Sequence, residues 1–351
     1  MNTMRILVDI GHPGDVHFYK HAIRRLQDEG HDVLIAARDK DVAIGLLDHY
    51  GFPYRTVSAA GSGLWGMVRE LLQRERVLLQ LVREFDPDVV TEVGGLSTAL
   101  IGWLLGKPTV IFTDTEHVEI NRYLTYPFAS VICTPACFKR DLGKRHVRYA
   151  GFQELAYLHP DYFRPDPTVL DELGVSTGES FIVLRFVAWK ASHDLGQEGL
   201  SLSLKREVVK TLSRYGRVFI TSEAELPAEF KPHQIHVPPH QIHDVLAFAR
   251  LYLGEGATMA TEAGLLGTPS IYVSSLVGTM GNFEELQSRY QLVFSYRRGE
   301  DALRHAVSLL EREQSEKEWL VRRESLLSDK VDVTAFVLQK IREFGHGTDR
   351  L

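Results

Sequence analysis

The sequence predicts an α/β fold built from two doubly wound domains, and three features of the chain support this. Short runs of β-branched residues alternate with longer amphipathic stretches from the first residues onward, which is typical of βαβ units and parallel sheets. The alternation breaks between Gly151 and Pro167, where His, Tyr, Pro and Asp follow one another without a clear period, and then starts again. A chain of 351 residues also suits two domains better than one. We therefore expect two such halves with a cleft between them.

The elements of the first half follow from its apolar runs. The strand candidates are Arg5 to Ile10, Asp32 to Ala36, Tyr54 to Val57, Val89 to Glu92, Thr109 to Thr113 and Val131 to Thr134. Amphipathic stretches between them predict helices, for example over Phe18 to Glu29, Asp41 to Tyr50 and Leu96 to Leu105. The first domain is expected to span residues 1–150, and residues 151–167 are expected to be a linker.

The second half repeats the pattern over residues 168–325. Its strand candidates are Phe181 to Arg185, Arg217 to Thr221, Ile235 to Val237, Leu251 to Gly254 and Ser270 to Val273. Its helix candidates are Thr168 to Leu173, Leu204 to Tyr215 and Asp301 to Leu310. The stretch from Lys317 to Phe344 is helical and charged, so residues 326–351 are expected to form a closing helix that could cross back to the first domain.

Composition bounds the function. The chain is 44% hydrophobic and 25% charged with a formal net charge of −6, and its basic residues are scattered, which argues against a nucleic-acid partner. Its two cysteines, Cys133 and Cys137, lack a second pair to complete a zinc site and are expected to be reduced core thiols of a cytoplasmic protein. No signal-peptide pattern precedes the first strand, and the apolar run from Leu96 to Phe112 is too short to span a membrane.

One predicted helix allows contact with a membrane surface. Leu64, Trp65, Met67, Val68, Leu71 and Leu72 form an apolar stripe, and four arginines, Arg69, Arg74, Arg76 and Arg83, are expected on or near the opposite face. The region from Leu64 to Leu72 could therefore bind the inner membrane face peripherally. The alternative, favoured by the pattern alone, is an amphipathic helix packed on its own domain.

The most informative segment runs from Gly254 to Val273. A buried strand turns through Gly254, Gly256 and Ala257 into a short helix, which Gly267 and Pro269 end before a second strand. Small side chains at the turn let an anion approach the backbone N–H groups at the helix start, and Glu262, one or two turns later, suits a sugar diol. These features favour a nucleotide diphosphate. An ordinary strand-to-helix junction remains the alternative.

Loops after other strands carry further candidate side chains. Gly11 to Phe18 is a glycine-rich turn in which His17 is a candidate base, although a histidine that caps or packs the turn is the alternative. The Gly94–Gly95 turn could bind an anion or an acceptor, and the segment ending in Glu116 and His117 invites acid–base chemistry. The pairing of Asp114 with Glu116 is weak evidence for a metal.

The second half offers comparable loops. Arg185 follows a predicted strand and could neutralise a diphosphate, with Ser192 and His193 supplying hydrogen bonds nearby, while a solvated loop is the alternative. Four histidines between His233 and His243 invite a metal hypothesis, but the prolines among them break any common helical face. We expect neither a metal nor another cofactor.

These motifs resemble those of known families. The segment from Glu255 to Pro269, with Gly256, Glu262 and Gly267 at matching spacing, resembles the donor motif of GT-B glycosyltransferases such as the lipid-linked muramyl N-acetylglucosaminyltransferase. It also resembles the matching segment of the non-hydrolysing UDP-N-acetylglucosamine 2-epimerases. Together with the His12–His17 turn, the Gly94–Gly95 turn and Asp114 to His117, it looks most like an uncharacterised prokaryotic family, domain of unknown function 354, over nearly the whole chain.

The resemblance implies a GT-B fold in which the C-terminal domain holds the nucleotide-sugar and the N-terminal domain holds the acceptor. Glu262 would bind the ribose hydroxyls. The diphosphate would lie on Gly256, Ala257 and Thr258, and the base near the backbone of Val237. Further donor contacts are expected from Gly14, Arg185, Ser192 and His193, and catalytic roles from His17, Glu116 and His117, without a metal.

Departures from the epimerase pattern favour transfer. Epimerases carry Thr-Arg-Pro-Glu where this chain has His12 to Asp15, an Asp where Gly95 stands, paired glutamates at Thr261–Glu262 and a His-Arg pair at His193–Asp194. The sequence therefore predicts a metal-independent glycosyltransferase with a nucleotide-sugar donor, favoured as UDP-linked, and a hydroxyl acceptor that could be lipid-linked, in cell-surface polysaccharide or glycolipid synthesis. A 2-epimerase-like isomerase and a non-catalytic nucleotide-sugar-binding protein are the alternatives.

Overall fold

The structure is a computed structural model, and it describes residues 3–40, 42–59, 63–95, 97–116, 120–176, 178–187, 200–222, 225–312 and 316–347. The chain divides into two compact units. Unit 1 comprises Met1–Tyr162 together with Val331–Leu351, and unit 2 comprises Phe163–Lys330. Each unit consists of a parallel sheet with helices.

Unit 1 contains a seven-stranded sheet in the order β3-β2-β1-β4-β5-β6-β7, in which all neighbours are parallel. Its strands are β1 (Arg5–Ile10), β2 (Asp32–Asp39), β3 (Tyr54–Ala59), β4 (Val89–Val93), β5 (Thr109–Phe112), β6 (Val131–Pro135) and β7 (His146–Tyr149). The strand order reverses between β1 and β4. In open parallel sheets, ligands bind beyond the carboxyl ends of the strands at such a switch point.

The helices that follow these strands in the chain are mostly short. They are α1 (Pro13–Asp28), α2 (Ala43–His49), α3 (Gly63–Phe85), α4 (Thr98–Leu105), α5 (Ile120–Leu124) and α6 (Leu155–Leu158). The longest of them, α3, packs Leu78 and Val82 against Leu7 of β1 and Val90 of β4. One face of the sheet is thereby covered by an i, i+4 stripe of α3.

Unit 2 contains a five-stranded parallel sheet in the order β12-β11-β10-β8-β9. The strands are β8 (Phe181–Phe186), β9 (Arg217–Ser222), β10 (Leu251–Gly254), β11 (Ser270–Val273) and β12 (Val293–Tyr296). Its order reverses between β8 and β10, which makes their carboxyl ends the second switch point.

The helices of unit 2 lie before, between and after its strands. They are α7 (Thr168–Leu173), α8 (Leu202–Leu212), α9 (Ile242–Phe248), α10 (Ala257–Leu266), α11 (Gly281–Ser288), α12 (Gly299–Glu311) and α13 (Glu316–Asp329), with 3₁₀ helices at Ala228–His233 and Pro239–Gln241. The last helix, α14 (Val333–Gly345), belongs to unit 1, where it packs against α1 and α6. Residues 155–158, inside the segment expected to be a linker, form the buried helix α6 of unit 1.

Most predicted elements are confirmed, and the main differences concern three strands and one long helix. The run from Ile235 to Val237 is not a strand, because the prolines at 238 and 239 follow at once and only an isolated bridge joins Gln234 to Ile220. Two short edge strands, β7 and β12, were not predicted. The helical stretch after Lys317 is two helices, since Asp332 caps a new one by accepting a hydrogen bond from the Ala335 amide at 2.9 Å.

The predicted fold class is confirmed as α/β with two parallel, doubly wound sheets. Within the described residues, no helix is both long enough and apolar enough to cross a bilayer. Cys133 and Cys137 do not form a disulfide bond, and burial raises the pKa of Cys133 to about 12.

The turn after β4 gives a direct test of this packing. Gly94 and Gly95 both have positive φ, at 90° and 72°, but only at Gly95 would an added Cβ meet neighbours, Ile111 Cγ2 at 2.6 Å and Thr125 Cγ2 at 2.9 Å. Gly95→Ala should therefore lower the free energy of unfolding by about 1–3 kcal/mol more than Gly94→Ala, which carries the backbone strain alone. Urea denaturation of the two variants measures the difference, and equal losses would contradict the described contact.

Candidate functional site

The switch point of unit 2 carries some of the residues predicted to hold a nucleotide, whereas Gly14 lies at the start of α1 in unit 1. Arg185 near the end of β8 pairs in register with Gly254 at the end of β10, and α10 begins directly beyond them. Along the chain, β8 is followed by β9 on one side of this pair and β10 by β11 on the other side. Ligands of open parallel sheets bind at the carboxyl edge beside such a reversal.

The N-terminus of α10 is built to accept an anion. Gly256 is its N-cap residue and has no side chain to cap the first turn, so among the described residues no side-chain acceptor is recorded for the amides of Ala257 and Thr258. The helix dipole adds positive potential at the same place. The hydroxyl of Tyr252, a buried tyrosine of β10, donates to the Gly256 carbonyl at 3.2 Å and fixes the turn.

The side chain of Arg185 lies directly beside this turn. Its Nη1 donates to Thr221 Oγ1 of β9 at 3.0 Å. A Cβ at Gly254 would meet Arg185 Cβ at 2.7 Å, and one at Gly256 would meet Arg185 Cγ at 3.1 Å. The two glycines thus allow a guanidinium to lie close to the uncapped helix start.

Glu255, which the sequence analysis quoted without a role, organises the same corner. Its Oε1 accepts from the Leu200 amide at 2.6 Å and its Oε2 from the Val187 amide at 3.1 Å. The buried ammonium of Lys205 lies 3.4 Å from Oε2. A single carboxylate therefore joins the end of β8 to the start of the α8 region beside the helix start.

Glu262 is buried in the second turn of α10 and pairs with a histidine. His243 Nε2 of α9 lies 3.0 Å from Glu262 Oε1. The pair links the two helices and orients the carboxylate. His243 was considered earlier only as a metal ligand, and the structure places it in the first turn of α9.

The switch point of unit 1 carries the predicted histidine turn. His12 is the N-cap of α1, and its Nδ1 accepts from the Gly14 amide at 3.2 Å. Asp15 Oδ2 accepts from the amides of Gly11 and His12, both at 2.9 Å, which completes a capping box. His12 therefore has a capping role, the alternative raised from the sequence.

His17, the candidate base, lies on the next turn of α1 and is buried. Its Nδ1 lies 3.5 Å from the hydroxyl of Tyr50, and its ring centroid lies 5.4 Å from that of Tyr157. Lys20 lies over the Tyr50 ring at 5.0 Å. These contacts hold the imidazole in an aromatic surrounding at the carboxyl edge of the sheet.

Glu116 follows β5, the strand next to β4, and is buried. Its Oε1 accepts from the Lys139 amide at 2.9 Å, so part of its function is to anchor the loop after β6. Three loops expected to act together therefore follow three adjacent strands, β1, β4 and β5. His117, Ser192 and His193 lie outside the described residues, and Val237 lies half-buried in the connection between the two 3₁₀ helices.

One prediction for α3 is wrong. Arg74 was expected on or near the solvent face, but its side chain is only 9% exposed and its Nη2 donates to Asp9 Oδ2 at 2.7 Å. Arg69, Arg76 and Arg83 are exposed as expected. Arg74 is buried because it continues the i, i+4 stripe of Leu78 and Val82 towards the carboxyl edge, where the neighbouring strands end in acidic residues.

Four charged groups at the unit 1 switch point were not predicted as site residues, namely Asp9, Asp15, Arg74 and Glu92. A charged residue four positions before a buried leucine on an amphipathic helix was the available signal. Among the described residues, no group of three or more His, Cys, Asp or Glu side chains is arranged to hold a metal ion.

Known proteins share this architecture. An uncharacterized protein of Methanocaldococcus jannaschii is 23% identical over 291 residues, covering 79% of this chain and 84% of its own. A Listeria monocytogenes structure assigned as a UDP-N-acetylglucosamine 2-epimerase aligns with a TM-score of 0.70 at 15% identity, covering 100% of this chain and 99% of its own. The spinosyn forosaminyltransferase aligns with a TM-score of 0.66 at 14% identity, covering 98% and 100%.

At these identities the structural matches establish the fold, which is that of GT-B glycosyltransferases and the related epimerases. The sequence match goes further. A family model described as "Protein of unknown function (DUF354)" matches residues 4–328. The chain belongs to that family.

Proposed function

We propose that the protein is a metal-independent glycosyltransferase that uses a nucleotide-sugar donor, with UDP as the favoured nucleotide. The observation that carries the proposal is the switch point of unit 2. There an uncapped helix N-terminus, a guanidinium and a buried carboxylate one to two turns further on lie on neighbouring elements. The first two complement a diphosphate, and the third complements a ribose diol.

In the proposed reaction, His17 takes the proton of an acceptor hydroxyl as its oxygen attacks the anomeric carbon of the donor. The bond from that carbon to the diphosphate oxygen breaks, and the nucleoside diphosphate leaves with the electron pair. The amides of Ala257 and Thr258, together with Arg185, stabilise the negative charge that develops on it. This set of groups requires no metal ion.

Transfer is favoured over epimerisation because the acid–base residues of the epimerases are replaced in this chain. An epimerase must abstract a proton from the sugar and eliminate the diphosphate, but Gly95 and Thr261 stand where those enzymes have carboxylates. The second candidate is an isomerase, because Glu116 is a buried carboxylate beyond β5 that could take part in acid–base chemistry. A protein that only binds nucleotide-sugars is the third candidate.

The proposed contact between Glu262 and the ribose is tested by removing the carboxylate of Glu262. Glu262→Ala should weaken UDP binding at least about tenfold, because the nucleotide loses a hydrogen-bond partner that is charged. Isothermal titration calorimetry measures the dissociation constant. Glu207→Ala, an exposed glutamate of α8, is the matched control and should bind UDP like the unaltered protein. Equal affinities for all three proteins would remove the assigned role of Glu262.

The reaction is tested with a panel of UDP-, GDP- and dTDP-sugars, by following both free nucleotide and the identity of the sugar. Slow release of nucleoside diphosphate is expected for a transferase. His17→Asn should lower the release rate roughly 10²- to 10⁴-fold without changing donor affinity, because it removes a general base. His346→Asn, at an exposed position after α14, is the control. An altered sugar without net release of nucleotide would favour the isomerase. Binding of the nucleotide-sugar with neither free nucleotide nor an altered sugar would favour a protein that only binds nucleotide-sugars.

We further propose that the acceptor is lipid-linked and that α3 contacts the membrane surface. Leu71 and Leu72 are 43% and 67% exposed, and Arg69 and Arg76 beside them are exposed as well. Sedimentation with anionic vesicles should recover the protein, and changing Leu71 and Leu72 to Ser should reduce recovery. The exposed pair Leu320 and Val321 of α13, changed to Ser, is the control. Equal recovery of both variants would contradict the contact.

A further inference from the structure

Two carboxylates lie side by side at the switch point of unit 1. Asp9 of β1 and Glu92 of β4 are register partners on adjacent parallel strands, so they point to the same face of the sheet. Two residues earlier on each strand, Leu7 and Val90 pack against α3 on that face. The apolar face covered by α3 therefore ends, at its carboxyl edge, in two buried acids.

The guanidinium of Arg74, on α3, contacts both acids. Its Nη2 lies 2.7 Å from Asp9 Oδ2 and 3.5 Å from Glu92 Oε1. One turn earlier on the same stripe, Glu70 Oε2 accepts a hydrogen bond from Nη2 of Arg38, a residue of β2, at 2.8 Å. Glu70 and Arg74 thus join α3 to the three neighbouring strands β2, β1 and β4 through side chains that are mostly buried.

Each neighbouring glycine turn depends on a carboxylate of this cluster. Asp15 holds the amides of Gly11 and His12 in the turn after β1. Glu92 Oε2 accepts from the Thr98 hydroxyl at 2.6 Å and lies 3.4 Å from the Thr98 amide at the start of α4, where Ser97 makes no side-chain cap. The first turn also lies over the guanidinium, because a Cβ at Gly11 would be 3.9 Å from Arg74 Nη2.

Charge balance couples the members of the cluster. Asp9, Asp15 and Glu92 face a single arginine, Glu75 of α3 adds further negative potential, and Tyr19 of α1 stands near Asp15 and Glu92. Burial, opposed in part by Arg74, raises the pKa of Asp15 to about 7 and that of Glu92 to about 8, and it raises the pKa of Asp9. A dry cluster of three acids and one base retains a proton near neutral pH.

Two buried atoms of the cluster have no hydrogen-bond partner among the described residues, namely Asp9 Oδ1 and Arg74 Nη1. A buried polar atom without a protein partner costs free energy and calls for an explanation.

We infer that Arg74 is a positioning residue that holds the glycine turns after β1 and β4 in one arrangement, by sharing its guanidinium between Asp9 and Glu92. The inference rests on the proposed function only where it regards these turns as the acceptor side. It couples two loops that are distant in sequence through one side chain of a third element.

Hydrogen exchange of the full-length protein tests the coupling. In Arg74→Met, protection factors corrected for intrinsic exchange should fall together in residues 11–15 and 94–98, by at least about tenfold, the loss of one hydrogen bond to a charged group. Arg74→Lys should restore them in part. Arg76→Met, an exposed arginine of α3, and the strands β8 and β10 of unit 2 should not change. Loss confined to α3, or to one turn only, would overturn the inference.

Asp9→Asn provides a second readout if Arg74→Met does not fold. Because Asp9 raises the pKa of both Asp15 and Glu92, its neutralisation should lower both, which carbon-detected NMR of the side-chain carboxyls measures. The folded chain keeps protons that the unfolded chain releases near pH 4, so the contribution of these groups to the free energy of unfolding falls as the pH rises from about 4 to about 8 and then levels off. In Asp9→Asn this fall should be smaller, and unchanged titrations would overturn the coupling.

UDP binding separates this inference from the proposed function. If UDP binds and the turns loosen in Arg74→Met, both stand. If UDP fails to bind but the turns still loosen together, the proposed function fails and the coupling remains. If UDP binds and the turns do not respond, only the role of Arg74 is lost.

Discussion

In both units the strand order reverses between two adjacent parallel strands, and the candidate site residues lie beyond the carboxyl ends of those strands. Between β8 and β10 the reversal exposes the start of α10 beside Arg185. Between β1 and β4 it gathers the buried acids around Arg74. Backbone amides and the positive ends of helix dipoles lie at such an edge because the topology of a parallel sheet places the helix N-termini there. The side chains then decide which charge each edge accepts.

The two edges have opposite electrostatic character. The edge of unit 2 offers amides and a guanidinium to an anion, and its carboxylates are already paired, Glu255 with Lys205 and Glu262 with His243. The edge of unit 1 holds more carboxylates than cations, and burial keeps part of them protonated. An anionic donor on the first and a neutral hydroxyl acceptor near the second would suit these potentials. Buried charges of this kind seldom add stability, so their presence points to a role in positioning.

The sequence predicted the fold well because hydrophobic periodicity is set by local geometry. Runs such as Arg5–Ile10 and Leu251–Gly254 are read directly from it, and so is the helix that begins after Gly256. Strand order is not local, so nothing in the sequence could show that Asp9 faces Glu92 or that Gly254 faces Arg185. Short edge strands such as β7 carry too few residues to show alternation. Arg74 was misplaced because an arginine on an amphipathic helix is usually solvated, and only its acidic neighbours explain its burial.

The central claim is that Glu262 and the start of α10 recognise the two halves of a nucleoside diphosphate. The most direct measurement compares UDP with 2′,3′-dideoxy-UDP, using the unaltered protein and Glu262→Ala in calorimetric titrations. Removal of the hydroxyls should weaken binding to the unaltered protein at least about tenfold and leave binding to Glu262→Ala nearly unchanged, since the partner group is already absent. An equal loss in both proteins would contradict the claim, because the hydroxyls would then be bound by another group.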